Sequence, residues 1–146
     1  MTRREIRDKV FKILFSLEFN PKEDMKEQVE LALSGDIPAE EEDGAFVMLA
    51  CSDEDKAYIT KRVLDIVDNH EEIDSSIEEV SEGWKLSRIG KAELAILRLA
   101  VFEMRYDDDI PVKVAINEAV ELAKVYCDVD AKKFINALLA KLTKQV

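Results

Sequence analysis

Apolar residues recur every three to four positions through nearly the whole chain, the spacing that lines them along one stripe of an α-helix. In a first segment, about residues 2–19, the stripe is Ile6, Val10, Ile13, Leu14 and Leu17. Asn20-Pro21 closes it, because the residue before a proline is pushed out of the helical region. A second segment, 22–33, repeats Met25, Val29 and Leu33 and stops at Ser34-Gly35. Residues 36–52 keep no period and read as a loop or short inserted turn. Ser52, three residues before Asp55, then opens a helix bearing Ile59, Val63, Ile66 and Val67, and a shorter one follows with Ile73, Ile77 and Val80. After Gly83-Trp84, the stretch from Lys91 to Tyr106 carries Leu94, Leu97, Val101 and Met104. It is apolar almost all round, the pattern of a central buried helix. Asp107-Asp108-Asp109 ends it. Pro111 suits the first turn of the next helix, with Ala115, Ala119, Leu122 and Tyr126 along its stripe. Asp130 reads as the N-cap of a last helix that packs Ile135, Leu138, Leu139 and Leu142. Four glycines and three prolines in 146 residues are too few for many short strands. The expectation is an all-α chain, residues 1–146 forming one domain, a compact bundle of about six or seven helices.

The net charge of −11 argues at first against a nucleic-acid partner, since phosphates repel an acidic surface. Its distribution changes that reading. Between Glu18 and Asp55 thirteen acids face only Lys22 and Lys26, which accounts for the whole excess. Residues 1–12 carry Arg3, Arg4, Arg7, Lys9 and Lys12 against Glu5 and Asp8, a local +3. Residues 131–146 carry Lys132, Lys133, Lys141 and Lys144 with no acid, a local +4. If the two ends meet in the fold, a basic patch exists despite the global sign.

Catalytic and metal patterns are not found. His70, the one histidine, has no serine or cysteine partner at a recognisable spacing and reads as a solvated surface residue. Asp107 to Asp109 lack the glycine and distal glutamate of a calcium loop. The run Glu40 to Asp43 reads as a solvated loop, and Gly90-Lys91 lacks the upstream glycine of a phosphate loop. Cys51 and Cys127 show no paired spacing and fit reduced thiols of a cytoplasmic protein. No apolar run approaches the roughly 20 residues of a membrane span, and no signal-peptide apolar region follows the charged start. No cofactor, metal or enzymatic activity is expected.

Both ends offer binding chemistry instead. At 100° per residue Arg4, Arg7, Phe11 and Phe15 share one face of the first helix, with Arg3 between that face and the core. Guanidinium groups pair with phosphate bidentately and stack on bases. The alternative is that Phe11 and Phe15 widen the core and the arginines are solvated. In the last helix Phe134 falls at the edge of the apolar stripe beside Lys132 and Lys133, a placement that suits an unstacked RNA base as well as core packing. Arg98, within the apolar central helix, needs an acidic partner, with Glu118 and Glu121 as candidates.

These residues resemble a known family. Arg3-Arg4-Glu5-Ile6-Arg7 followed by Ile13-Leu14-Phe15 is similar to the arginine-rich start of NusB proteins. The stretch Ala92 to Ala100 (Ala-Glu-Leu-Ala-Ile-Leu-Arg-Leu-Ala) resembles the family's central helix. Ile110 to Lys124 (Ile-Pro-Val-Lys-Val-Ala-Ile-Asn-Glu-Ala-Val-Glu-Leu-Ala-Lys) is the most specific segment, and Asp130 to Asn136 matches the start of the last helix. The resemblance covers the first helix and nearly all of residues 84–142.

What it implies is a fold of two helical subdomains without enzymatic activity. The family acts in transcription antitermination, binding the single-stranded boxA element of ribosomal RNA leaders together with the ribosomal protein NusE. Other antitermination factors and RNA polymerase are engaged indirectly, and members are monomers or homodimers. Arg3, Arg4 and Arg7 fall on the family's RNA-contacting arginines, and Lys132, Lys133 and Phe134 on a second RNA-facing element. Phe15 replaces a tyrosine of the NusE interface, keeping the ring and losing the hydroxyl. Glu93 matches an acidic position of that interface, and Asp130 an aspartate important for assembly. Residues 36–55 are longer and more acidic than the family pattern, and nothing is carried over there. Two other readings stand beside this one. One is a helical interaction module without RNA, using the Phe11/Phe15 face. The other is a stand-alone relative of the NusB-like domain that begins some ribosomal RNA cytosine methyltransferases, disfavoured by the lack of a cofactor-binding βα pattern.

Overall fold

The computed structural model describes residues 1–19, 25–34, 51–81 and 85–144, and the backbone of 37–40 and 46–49. Among the described residues there are seven α-helices, and they sort into two compact units, residues 1–65 and 66–146.

The first unit holds α1 (Arg3–Leu17), α2 (Met25–Ala32) and most of α3 (Asp53–Asp68). A capping box starts α1. The Thr2 hydroxyl accepts from the Glu5 amide at 3.1 Å, and the Glu5 carboxylate accepts from the Thr2 amide at 2.7 Å. Two of the orphan donors at the helix start are thereby satisfied. The expected stripe is buried at Val10, Ile13, Leu14 and Leu17, while Ile6 is half-buried and Phe11 joins the core. Val29 and Leu33 of the second segment are buried as well. Ser52 caps α3 as the spacing predicts, its hydroxyl accepting from the Asp55 amide at 3.1 Å.

Between α2 and α3 the expectation of a loop is corrected. Ile37–Glu40 (β1) and Phe46–Leu49 (β2) form an antiparallel ladder with Ile37 opposite Leu49 and Glu40 opposite Phe46. Pro38 cannot donate to a ladder, and it is tolerated because a two-stranded ribbon has only edge strands. The sequence does hold a hairpin signal, Asp43-Gly44 before the β-prone run Phe46-Val47-Met48. The helix stops read at Asn20-Pro21 and Gly35, the acidic residues 41–43, and Gly83-Trp84 lie outside the described residues.

The second unit holds α4 (His70–Val80), a 3-10 turn (Leu86–Arg88), α5 (Lys91–Tyr106), α6 (Val112–Tyr126) and α7 (Val129–Thr143). Here α5 is central: it packs against α4, α6 and α7, and ten of its sixteen residues are buried, so it is covered nearly all round. Ile135, Leu138, Leu139 and Leu142 of α7 and Ala115, Ala119 and Leu122 of α6 close the core around it. The small alanines of α6 permit close helix approach. The aspartates after α5 form a polar turn, the Asp107 carboxylate accepting from the Asp109 amide at 3.0 Å.

Four local expectations change. The N-cap of α7 is Asp128 and not Asp130. Asp128 has extended backbone, and its Oδ1 accepts from the Ala131 amide at 2.8 Å, while Asp130 lies inside the first turn. A carboxylate there is still favoured, by the positive end of the helix dipole. Pro111 is the cap residue of α6 and not part of its first turn. Arg98 pairs with Asp74 of α4, a partner the sequence reading did not name, in a bidentate bridge at 2.9 and 3.0 Å. His70 is half-buried and not a solvated surface residue: its Nδ1 lies 2.7 Å from the Val67 carbonyl and so must donate to it.

Asp128→Ala should lower stability by about 1 kcal/mol through loss of the cap, whereas Asp130→Ala should change it by less than about half of that. Urea midpoints of the two variants check the assignment, and equal losses would contradict it.

Candidate nucleic-acid interface

The first-unit candidates all stand on α1. Arg3 and Arg4 are exposed and Arg7 is half-buried, at the end of the helix where the capping box fixes the backbone. Beyond them the aromatic line continues. Phe11 and Phe15 stack with ring centroids 6.1 Å apart, and Phe15 meets Phe19 edge-on at 5.3 Å. Exposure rises along this line: Phe11 is 2% exposed, Phe15 intermediate and Phe19 62%. Of the two sequence readings, core widening holds for Phe11, while Phe15 keeps an accessible edge. A Phe11/Phe15 binding face is therefore reduced to Phe15 and its neighbour Phe19.

The charge at this end is crowded. Lys12 pairs with Asp8 at 2.9 Å. The Lys9 ammonium is held below its ordinary range, first by burial and then by the Lys12 charge.

The second-unit candidates lie on α5 and α7. Lys133 is exposed, and Lys132 and Phe134 are half-buried, so Phe134 does sit at the rim of the apolar stripe. Asp130 is exposed in the first turn of α7. Glu93 is half-buried in the first turn of α5, and the Cys127 thiol donates a hydrogen bond to its carboxylate. Burial, the Glu93 charge and that hydrogen bond push the Cys127 thiol up to about 11, with Asp128 adding to the effect. At neutral pH Cys127 is thus a hydrogen-bond donor and not a nucleophile. The contact brings Glu93 beside the α6–α7 turn, three residues from Asp130. Sequence reading missed Cys127, since a lone cysteine at a helix end carries no spacing signal. Both cysteines are free thiols.

Among the described residues no group of three or more His, Cys, Asp or Glu is placed to hold a metal ion. No helix among them is long and apolar enough to cross a membrane.

The architecture defines a class, small and predominantly helical proteins of two compact units. The NusB family model matches residues 4–144. The transcription antitermination protein NusB of Agathobacter rectalis is 44% identical over 141 residues, covering 97% of this chain and 98% of that protein. T. maritima NusB superposes with a TM-score of 0.82 at 32% identity, over 99% of this chain and 92% of that one. A crystal structure of antitermination factors NusB and NusE in complex with double-stranded RNA matches at a TM-score of 0.73 and 28% identity, over 99% and 97%. The chain belongs to the NusB family.

Proposed function

We propose that this chain is a cytoplasmic transcription antitermination factor. It acts as one RNA-binding domain that engages boxA RNA of ribosomal RNA leaders together with NusE. The observation that carries this reading is the likeness, over 99% of the chain, to antitermination factors solved with NusE and RNA. The role is one of binding and assembly and not of catalysis. Arg3, Arg4 and Arg7 neutralise phosphates. Lys132 and Lys133 add charge, and Phe134 offers a ring edge to an unstacked base. Phe15, Glu93 and Asp130 face NusE, and a phenylalanine at position 15 does this by packing without a hydroxyl hydrogen bond. Other antitermination factors and RNA polymerase are reached through the assembled complex. The second reading, a relative of the methyltransferase domains, gains nothing from the comparisons, whose matches are NusB proteins covered over 98% and 92% of their own length.

The test is a titration of boxA RNA, single-stranded and as a duplex, with and without NusE, across a salt series. Each phosphate contact to single-stranded RNA adds about 0.7 to the log–log salt slope. The Arg3→Ala/Arg4→Ala/Arg7→Ala variant should therefore show a slope shallower by about 2. Between 50 and 200 mM salt, typical working concentrations, the parent should lose about 15-fold more affinity than the variant. An unchanged slope removes the arginines from the interface.

A further inference from the structure

We propose that the 3-10 turn ahead of α5 carries a phosphate-binding edge, Lys85 with Arg88, that holds the RNA backbone at the same end of the second unit as Lys132 and Lys133. The proposal rests on the reading of this chain as an RNA-binding factor, and it adds two residues that the resemblance left without a role.

Residues 85–91, Lys-Leu-Ser-Arg-Ile-Gly-Lys, hold three cations and no acid in a chain of net charge −11. The backbone here repeats every three residues. The Arg88 amide donates to the Lys85 carbonyl at 2.9 Å, and the Ile89 amide to the Leu86 carbonyl at 3.1 Å. In such a turn side chains three apart eclipse one another. Leu86 and Ile89 share the inward edge, one half-buried and the other buried, and the turn packs on α4. Lys85 and Arg88 share the outward edge, and both are exposed. Among the described residues neither of these two makes an ion pair or a side-chain hydrogen bond. The anchored apolar edge thus sets the spacing of two uncompensated charges before any ligand arrives. Arg88 adds the planar fork that grips a phosphate through two bonds.

Position decides the ligand. The Cys127 thiol, just before α7, bonds to the Glu93 carboxylate in the first turn of α5. That contact brings the starts of α5 and α7 to one end of the second unit. Lys85 and Arg88 precede α5 there, and Lys132 and Lys133 stand in the opening turns of α7. Over residues 85–93 and 127–133, Lys85, Arg88, Lys91, Lys132 and Lys133 face Glu93, Asp128 and Asp130, a local +2. Two of those acids are already engaged, Glu93 by the Cys127 thiol and Asp128 by the Ala131 amide. Cations at intervals match the repeated charge of a nucleic-acid strand, and the half-buried Phe134 beside them offers a ring edge to a base. An acidic polypeptide would match the charge but has no use for that ring. Contacts to phosphate place the strand and carry no sequence information, so this edge positions RNA without choosing it.

The experiment titrates full-length Lys85→Gln/Arg88→Gln with single-stranded boxA RNA and with a scrambled strand of equal length across a salt series. Two lost phosphate contacts should make the log–log salt slope shallower by about 1.4. Between about 50 and 200 mM salt the parent should lose about seven-fold more affinity than the variant. The change should be the same for both strands, and NusE affinity and thermal melting should stay as in the parent. Arg88→Lys keeps the charge and should keep the slope. Arg105→Gln/Lys113→Gln removes the same charge from the opposite end of the unit, where α5 ends and α6 begins, and should leave the slope unchanged. An equal loss of slope in that control overturns the proposal, since charge at any position would then suffice. If the parent binds no boxA RNA, with or without NusE, the RNA reading fails and this proposal with it. If the parent binds and the Lys85→Gln/Arg88→Gln variant keeps its slope, the proposal alone is overturned. Loss of NusE affinity with RNA affinity intact also overturns it, in favour of a protein contact.

Discussion

Leu97→Ala should lower the stability of the protein by about 3–4 kcal/mol. Leu97 is fully buried in α5, the helix packed against α4, α6 and α7. Truncation there removes about three methylene equivalents of burial and leaves a cavity that helices on several sides cannot all close. For a chain of this size the melting temperature should drop by roughly 10 °C. Hydrogen exchange should quicken through residues 91–143. Two comparisons isolate the cause. Leu97→Met conserves volume and should cost less than about 1.5 kcal/mol. Leu31→Ala removes the same atoms from a side chain that is 73% exposed, and it should cost less than about 0.5 kcal/mol. Equal losses at positions 31 and 97 would mean that helix propensity, and not burial, sets the stability.

The central role of α5 was legible in the sequence because its signal is long and redundant. A 16-residue apolar stretch that ends in three aspartates admits one interpretation. Its boundaries came out as observed for the same reason. The hairpin was not legible by periodicity, since two strands of four residues are too short for a period to emerge. The α7 cap shows a different limit. Asp128 and Asp130 are both good capping residues, and only the backbone geometry decides which one reaches an amide three residues on. Asp74 was missed as Arg98's partner because helix-local spacing does not decide which neighbouring helix supplies a tertiary partner: Glu118 and Glu121 lie on the helix after α5, and Asp74 on the helix before it. At the candidate site, the arginines and lysines could be named from charge and helical phase. The buried state of Phe11 depends on what packs over it, which a helical wheel does not contain. Cys127 became meaningful only once folding set it against Glu93.

Arg98→Ala should cost about 2–3 kcal/mol, below the range for a fully buried pair because both side chains keep some contact with water. Arg98 is 20% and Asp74 17% exposed in their side chains, and two parallel hydrogen bonds join α5 to α4. Removing the guanidinium strips a mostly buried carboxylate of its main compensation, so the loss exceeds the net worth of the bridge itself. A double-mutant cycle makes this measurable. Asp74→Ala alone should cost a similar amount, and the double variant should cost less than the sum by about 1–2 kcal/mol. Arg98→Lys should recover only part of the loss, because an ammonium cannot make both bonds of the fork. An apolar pair, Arg98→Met with Asp74→Leu, should come close to the parent in stability. The functional readout separates this bridge from the binding surfaces. Arg98 lies five residues beyond Glu93 on the same helix, and neither Arg98 nor Asp74 belongs to the proposed NusE or RNA contacts. Arg98→Ala should therefore bind NusE and boxA RNA with unchanged affinity at temperatures well below its melting point. If binding falls in the folded variant, the α4–α5 bridge sets the position of Glu93, and rigidity of the second unit becomes part of recognition.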